Sequence, residues 1–196
     1  MLLLFNSVDW DVVLDVVGFV LGLVYLFLEY KASIWLWLVG VIMPLVRSVL
    51  FLRVGVFADF GMQFFYVIVA LVGFLSWRFG KKKTERVKPI RHFPVKWILP
   101  FVLIFAASWL GIYHLLIAVK STVPVTDSFT TALCIVAYIA LICKWAEQWL
   151  LWLVVDIVST GLYIYKGIPF SACLYGFYTV MAVLGYRKWL KLMRQQ

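Results

Sequence analysis

Seven apolar runs take up almost the whole of this 196-residue chain, at roughly 12–28, 34–52, 60–77, 97–119, 128–143, 149–165 and 168–186. A helix crosses a bilayer in about 20 residues, so the runs match bilayer crossings. The two-residue alternation of a membrane strand is absent from them. Hydrophobic residues make up 65% of the chain and charged residues 14%, with a mean hydropathy of +1.02. A soluble domain carries about 45–50% apolar and about 25% charged residues, so this side-chain inventory is too apolar for one water-surrounded core. The expected fold is therefore an all-α membrane protein of seven transmembrane helices, with no room for a soluble catalytic domain and no expectation of enzyme activity. Ten Trp, ten Tyr and sixteen Phe suit helices that meet headgroups at both ends.

The formal net charge of +9 reads first as a topology signal. Arg78, Lys81, Lys82, Lys83, Arg86, Lys88, Arg91 and Lys96 crowd one linker, and Arg187, Lys188, Lys191 and Arg194 the C-terminal tail. With that linker in the cytoplasm, crossing by crossing, fourteen of the eighteen Lys and Arg lie inside and three (Arg53, Lys120, Lys166) outside, with Arg47 within a span. The N-terminus, with Asp9 and Asp11, is then outside and the C-terminus inside. Positive-inside bias accounts for the basic linker without nucleic acid. The N-terminal stretch has no positive region of the kind that opens a cleaved signal peptide. Cys134, Cys143 and Cys173 show no ligand-like spacing, and His114 has no second ligand at metal spacing, so neither a disulfide framework, a metal site nor a cofactor is expected.

A shift of 112 residues lays Asp15 on Asp127, Trp37 on Trp149, Gly55 on Gly167, Tyr66 on Tyr178, Gly73 on Gly185 and Trp77 on Trp189. Scarce residues at one offset, through two spans and the turn between them, indicate an internal repeat. Aromatic belts and tight helix crossings also place Trp and Gly repeatedly, but they set no common offset. Spans 1–3 then correspond to spans 5–7, and span 4 between them restores the direction of the chain. The expectation is a 3+1+3, SWEET-like arrangement of two parallel triple-helix bundles with a substrate site at mid-depth. Its parts are a first three-helix repeat at 1–78, the basic linker with connecting helix 4 at 79–119, and a second repeat at 120–196.

Asp156 falls near the middle of span 6, where a carboxylate costs about 2.5–3.5 kcal/mol to insert and so is a functional candidate. Trp149 and Trp152 precede it by seven and four residues and share its helical face. Aromatic faces around one buried negative charge suit a flat organic cation. Against this, Trp149 also fits an interfacial belt, Trp152 ordinary packing, and Asp156 an ion pair with Arg47, which the repeat places opposite Ser159. Arg47 also has the alternative of snorkelling to the outer end of span 2. Gln63 and Tyr66 on span 3 and Tyr175 and Tyr178 on span 7 occupy corresponding helices and complete the candidate substrate-binding set. Gln63 could instead tie two helices together, and the tyrosines could sit at the interface. Gly40 and Pro44 are positions at which span 2 can bend.

These residues carry a family resemblance. The stretch EQWLLWLVVDIVSTGLYIYKGIPFSACLYGFYTVMAVLGYRKW resembles the last two helices of the PnuC-type vitamin transporter family. Two tryptophans followed by a polar residue four positions on map to Trp149, Trp152 and Asp156, and a Gln-to-Gly-to-Trp pattern maps to Gln63, Gly73 and Trp77. The resemblance implies the 3+1+3 arrangement, a homotrimer, a place in the cell (inner) membrane, and facilitated import of a vitamin that a cytosolic kinase then traps. Two departures stand out: family members that carry nicotinamide riboside usually have Asn at the position of Asp156, and Asn where this chain has Ala70. Through LEYKAS and DSFTTAL (Leu28–Ser33 and Asp127–Leu133) the chain is similar to a thiamine-associated branch. Nicotinamide riboside and thiamine are both flat, aromatic and cationic, so charge alone leaves both open.

The expected function is a facilitator that imports a small, cationic, unphosphorylated B-vitamin. No G-x-x-x-x-G-K-[ST] motif occurs to couple the chain itself to ATP. Two alternatives stand beside it. A substrate-binding subunit of a multi-subunit importer would not transport alone. A seven-helix sensor of the retinal type needs a Lys deep in the last span, where only Lys188, at its end, is found.

Overall fold

A computed structural model describes residues 10–54, 57–80, 88–120, 123–165 and 169–196. Among them the chain forms seven α-helices: α1 (Trp10–Tyr30), α2 (Trp35–Val54), α3 (Phe57–Phe79), α4 (Ile98–Ala118), α5 (Pro124–Ile142), α6 (Gln148–Tyr165) and α7 (Pro169–Met193). A 3-10 turn at Val95–Trp97 leads into α4, and no strand occurs among the described residues. The all-helical expectation is met. Among the described residues four stretches are long and apolar enough to cross a membrane by length and composition: Met62–Phe79, Val95–Ala118, Pro124–Ile142 and Gln148–Tyr165. The apolar stretches of α1 and α2 are shorter, at Val16–Tyr30 and Trp35–Val49. Helix α7 continues past the expected end at 186, because Arg187, Lys188 and Lys191 lose nothing by remaining helical in a polar layer.

The chain divides into two compact units, Met1–Gly80 and Lys81–Gln196. In the first, α1 packs on α2 and α2 on α3. Helix α1 ends in a left-handed residue, Ala32 (φ 51°). The Ala32 amide donates to Glu29 O (2.8 Å) and the Ser33 amide to Leu28 O (2.9 Å), which satisfies the last carbonyls of the helix. Helix α2 then carries Trp37, 1% exposed, onto α3. Its indole lies on Gly73, where a Cβ would fall well inside van der Waals distance, and meets Trp77 edge-on at 5.4 Å between ring centroids. Lipid tails are as apolar as these side chains, so close packing over a small residue, more than dewetting, holds such helices together.

In the second unit α4 packs on α5, α5 on α6 and α6 on α7. Its core gathers Phe101, Leu133, Val136, Ala140, Trp145 and Val155. The Trp109 indole N–H donates to Ser128 Oγ (3.1 Å) and ties α4 to α5. The turn after α5 repeats the turn after α1 bond for bond, 112 residues on. Lys144 is left-handed (φ 60°), its amide donates to Leu141 O (2.9 Å), and the Trp145 amide donates to Ala140 O (3.0 Å). Trp149 then lies on Gly185 and meets Trp189 edge-on at 6.0 Å, as Trp37 does with Gly73 and Trp77. The offset found in the sequence therefore marks one turn and one three-residue packing device, each built twice.

The end of the basic linker is more ordered than a loop. Residues 88–93 lie across the α5–α6 turn, where the Arg91 amide donates to Lys144 O (3.1 Å) and the Ala146 amide to Arg91 O (3.0 Å). Lys88 Nζ donates to Ile142 O (2.9 Å) and Lys144 Nζ to Lys88 O (2.8 Å), placing two cations at the C-terminal end of α5, where the helix dipole favours them. Burial, then the neighbouring Lys88 charge, push the Lys144 ammonium down to about 8. Glu147 accepts from the Phe93 amide (2.8 Å) and pairs with His92 Nδ1 (2.7 Å), and Gln196 Oε1 accepts from the Ile90 amide (2.8 Å).

Candidate substrate site on helix α6

Helix α6 presents Trp149, Trp152 and Asp156 at spacings of three and four, as its period requires, but the three meet different surroundings. Trp149 is 2% exposed and packs on α7, with its ring against Gly185 and edge-on to Trp189. Trp152, four residues before Asp156, is half-buried; it rests on the core cluster and meets Tyr138 of α5 nearly perpendicularly (84°) at 5.1 Å. Both indole N–H groups are buried without a hydrogen-bond partner, as are both amide atoms of Gln148.

Asp156 is 6% exposed. Its backbone carbonyl accepts from Thr160 Oγ1 (2.7 Å), so that hydroxyl is spent on its own helix. The Asp156 carboxylate lies near enough to Tyr175 and to Cys134 to act electrostatically on both. Tyr175 stacks on Tyr163 at 5.2 Å and touches Tyr178 edge-on at 5.8 Å. The second unit thus brings Asp156 and the α7 tyrosines together between α5, α6 and α7. An acid within electrostatic reach of a phenol, one helical turn from a half-buried indole, can bind a flat cation through charge and ring faces.

The other expected residues lie in the first unit. Gln63, 6% exposed, and the half-buried Tyr66 sit one turn apart on α3, on the side that also carries the buried Ala70, Gly73 and Trp77. Arg47, half-buried on α2, runs along α1: a Cβ on Gly18 would lie 3.3 Å from its Nε, which is buried without a hydrogen-bond partner. Asp15, Gly55 and Gly167 of the repeat lie outside the residues whose side chains are described. Among the described residues no group of three His, Cys, Asp or Glu could hold a metal ion.

Sequence reasoning missed Tyr163, Cys134 and Tyr138. Tyr163 follows Asp156 by seven residues, the spacing that joins Trp149 to Asp156, and extending that stripe by two turns finds it. Cys134 and Tyr138 belong to α5, and no spacing along the chain connects them to α6.

Residues 12–191 match the family model described as nicotinamide mononucleotide transporter. The chain belongs to this PnuC-type transporter family. Among individual members, the riboflavin/roseoflavin transporter RibM of Streptomyces davaonensis is 31% identical over 180 residues, 89% of this chain and 83% of the relative. The nicotinamide riboside transporter PnuC of Neisseria mucosa is 33% identical over 148 residues, 66% of this chain and 53% of the relative. A crystal structure of the vitamin B3 transporter PnuC superposes with a TM-score of 0.70 at 27% identity, covering 97% of this chain and 85% of that one. The PnuC-type family is one of membrane transporters, not of enzymes.

Proposed function

We propose that this chain is a membrane facilitator importing a small, flat, cationic, unphosphorylated vitamin, nicotinamide riboside or thiamine, through a site centred on Asp156. The carrying observation is the buried Asp156 carboxylate within electrostatic reach of Tyr175, four residues from a half-buried Trp152 on the same helix. Trp152 supplies the ring face, Tyr175 and Tyr178 the aromatic wall, and Trp149 the anchor that holds α6 to α7. Gln63 and Tyr66 stand in α3 where Tyr175 and Tyr178 stand in α7, 112 residues on, and are proposed as substrate contacts on that ground. A substrate cation, rather than Arg47, serves as the counter-ion of Asp156 in this reading.

Two parallel triple-helix repeats joined by α4, with the N-terminus out and the C-terminus in, are supported by the twice-built turn, the twice-built Trp–Gly–Trp packing and the basic linker. The repeats run over 1–78 and 120–196, with 79–119 connecting them. Assembly as a trimer in the inner membrane and trapping by a cytosolic kinase complete the proposal. Phosphorylation adds negative charge, which the Asp156 carboxylate would repel, so it would make uptake one-way.

The test is titration of the purified protein with thiamine, nicotinamide riboside and riboflavin, followed by tryptophan fluorescence, and then uptake by liposomes containing this protein alone. Binding of either cation, weakened about ten- to a hundredfold by Asp156→Asn, is the expected result, because a hydrogen bond to a charged group is worth about 1.5–3 kcal/mol. Equal binding by the variant refutes a substrate-facing carboxylate. Tight binding of uncharged riboflavin alone would instead favour riboflavin as the substrate, a second reading that the likeness to RibM raises. Binding without uptake would indicate a subunit of a larger importer.

A further inference from the structure

We propose that Tyr138 of α5 is a positioning residue for substrate binding, holding the Trp152 indole in the orientation that lets it stack on a planar ring. This rests on the reading of the α6 site given above. The two tryptophans of that site are held in different ways. Trp149 is buried against α7, on Gly185 and edge-on to Trp189. Trp152 is half-buried, its indole N–H has no hydrogen-bond partner, and it rests on a cluster of aliphatic and aromatic side chains. Such a surface supports an indole without setting its rotation, because apolar contact is non-directional.

The directional contact is with Tyr138. The rings meet at 84° with centroids 5.1 Å apart, the edge-to-face geometry that the aromatic quadrupole favours. Tyr138 also stands one helical turn after Cys134, the α5 residue that feels the Asp156 charge. One face of α5 therefore adjoins both the aromatic and the acidic part of the site. A side chain fixed before binding spares the ligand the cost of ordering it.

The experiment compares Tyr138→Phe and Tyr138→Leu in the full-length purified protein, titrated with thiamine and with nicotinamide riboside. Near-UV circular dichroism of the ligand-free protein reports the Trp152 environment, assigned from its loss in Trp152→Phe. The Leu variant should weaken binding about three- to tenfold, the range of a lost aromatic pair. It should also lose the Trp152 dichroic band, while Phe, which keeps the ring, should preserve both. Equal losses in Phe and Leu would make the hydroxyl the active element and overturn the proposal. So would unchanged binding in both, or weakened binding with the dichroic band intact. If Tyr138→Leu does not fold, Tyr138→Met, which keeps bulk without a ring, takes its place. Failure of both to fold would make Tyr138 a core residue and likewise overturn the proposal. Should the wild-type protein bind neither vitamin, the substrate reading fails by itself, and the dichroic comparison still reports whether Tyr138 orients Trp152.

Discussion

Replacing Gly185 with alanine sets a new methyl group against the Trp149 indole, at 2.6 Å from its Cδ2 and Cε2 and 2.7 Å from its Cε3. Carbon atoms in ordinary contact stand about 3.5–4.0 Å apart, so ring or helix must yield by roughly 1 Å. The ring has little freedom to do so, since it is 2% exposed and also in edge-on contact with Trp189. Overpacking of this kind costs about 1–3 kcal/mol. Alanine also gains about 1 kcal/mol over glycine within a helix, which masks part of that cost. Gly161→Ala cancels the masking: it is helical too, and a Cβ there meets nothing within 4 Å. The difference between the two variants isolates the clash. At about 2–4 °C per kcal/mol for a chain of this size, Gly185→Ala should melt about 2–12 °C below Gly161→Ala in detergent. Adding Trp149→Leu to Gly185→Ala should recover part of the loss, because the two sites are in contact and their effects couple. Equal melting of Gly185→Ala and Gly161→Ala would refute the packing of Trp149 on α7. The same pair of substitutions tests the first unit, with Gly73→Ala set against Trp37.

Three further outcomes are expected. The unfolded chain holds a proton on Lys144 up to its ordinary value of 10.5, whereas burial in the folded protein brings it to about 8. The unfolded state therefore binds more protons between those limits, so stability should be lowest below pH 8 and rise towards pH 10.5. Lys144→Met should flatten that rise in a melting series. Ala32→Gly should raise stability by up to about 1 kcal/mol, since only glycine takes a left-handed φ without strain; a lower melting temperature would contradict the turn geometry. Glu147→Ala removes the acceptor of the Phe93 amide and the partner of His92, so hydrogen exchange at Phe93 should accelerate while exchange in the middle of α6 stays unchanged.

The helices were legible because their apolar length admits no other solution in a bilayer. Helix α4 was expected over 97–119 and is found at Ile98–Ala118. The expected ends fell short where the chain remains helical in a polar layer, as at Arg187–Lys191 in α7, since loss of apolar character marks the membrane boundary rather than the helix boundary. The linker read as a plain basic loop, yet residues 88–93 form a strap on the α5–α6 turn. Its bonds use backbone groups and the ends of Lys88, Glu147 and Gln196, which leave no periodic trace. At the site, period 3.6 put Trp149, Trp152 and Asp156 on one face, and the same period could not tell that Trp149 is filled by α7 while Trp152 is half-open.

From the residues alone came the membrane class, the number of helices and the offset of 112, because each depends on side-chain polarity and on scarce residue types along one dimension. Which residues touch across helices was decided only in three dimensions. Tyr138 reaches Trp152 from fourteen positions earlier, and Gly185 receives Trp149 from thirty-six positions later. Helix rotation and crossing set those meetings, through packing energies shared among many small contacts, and no single stretch of chain contains them.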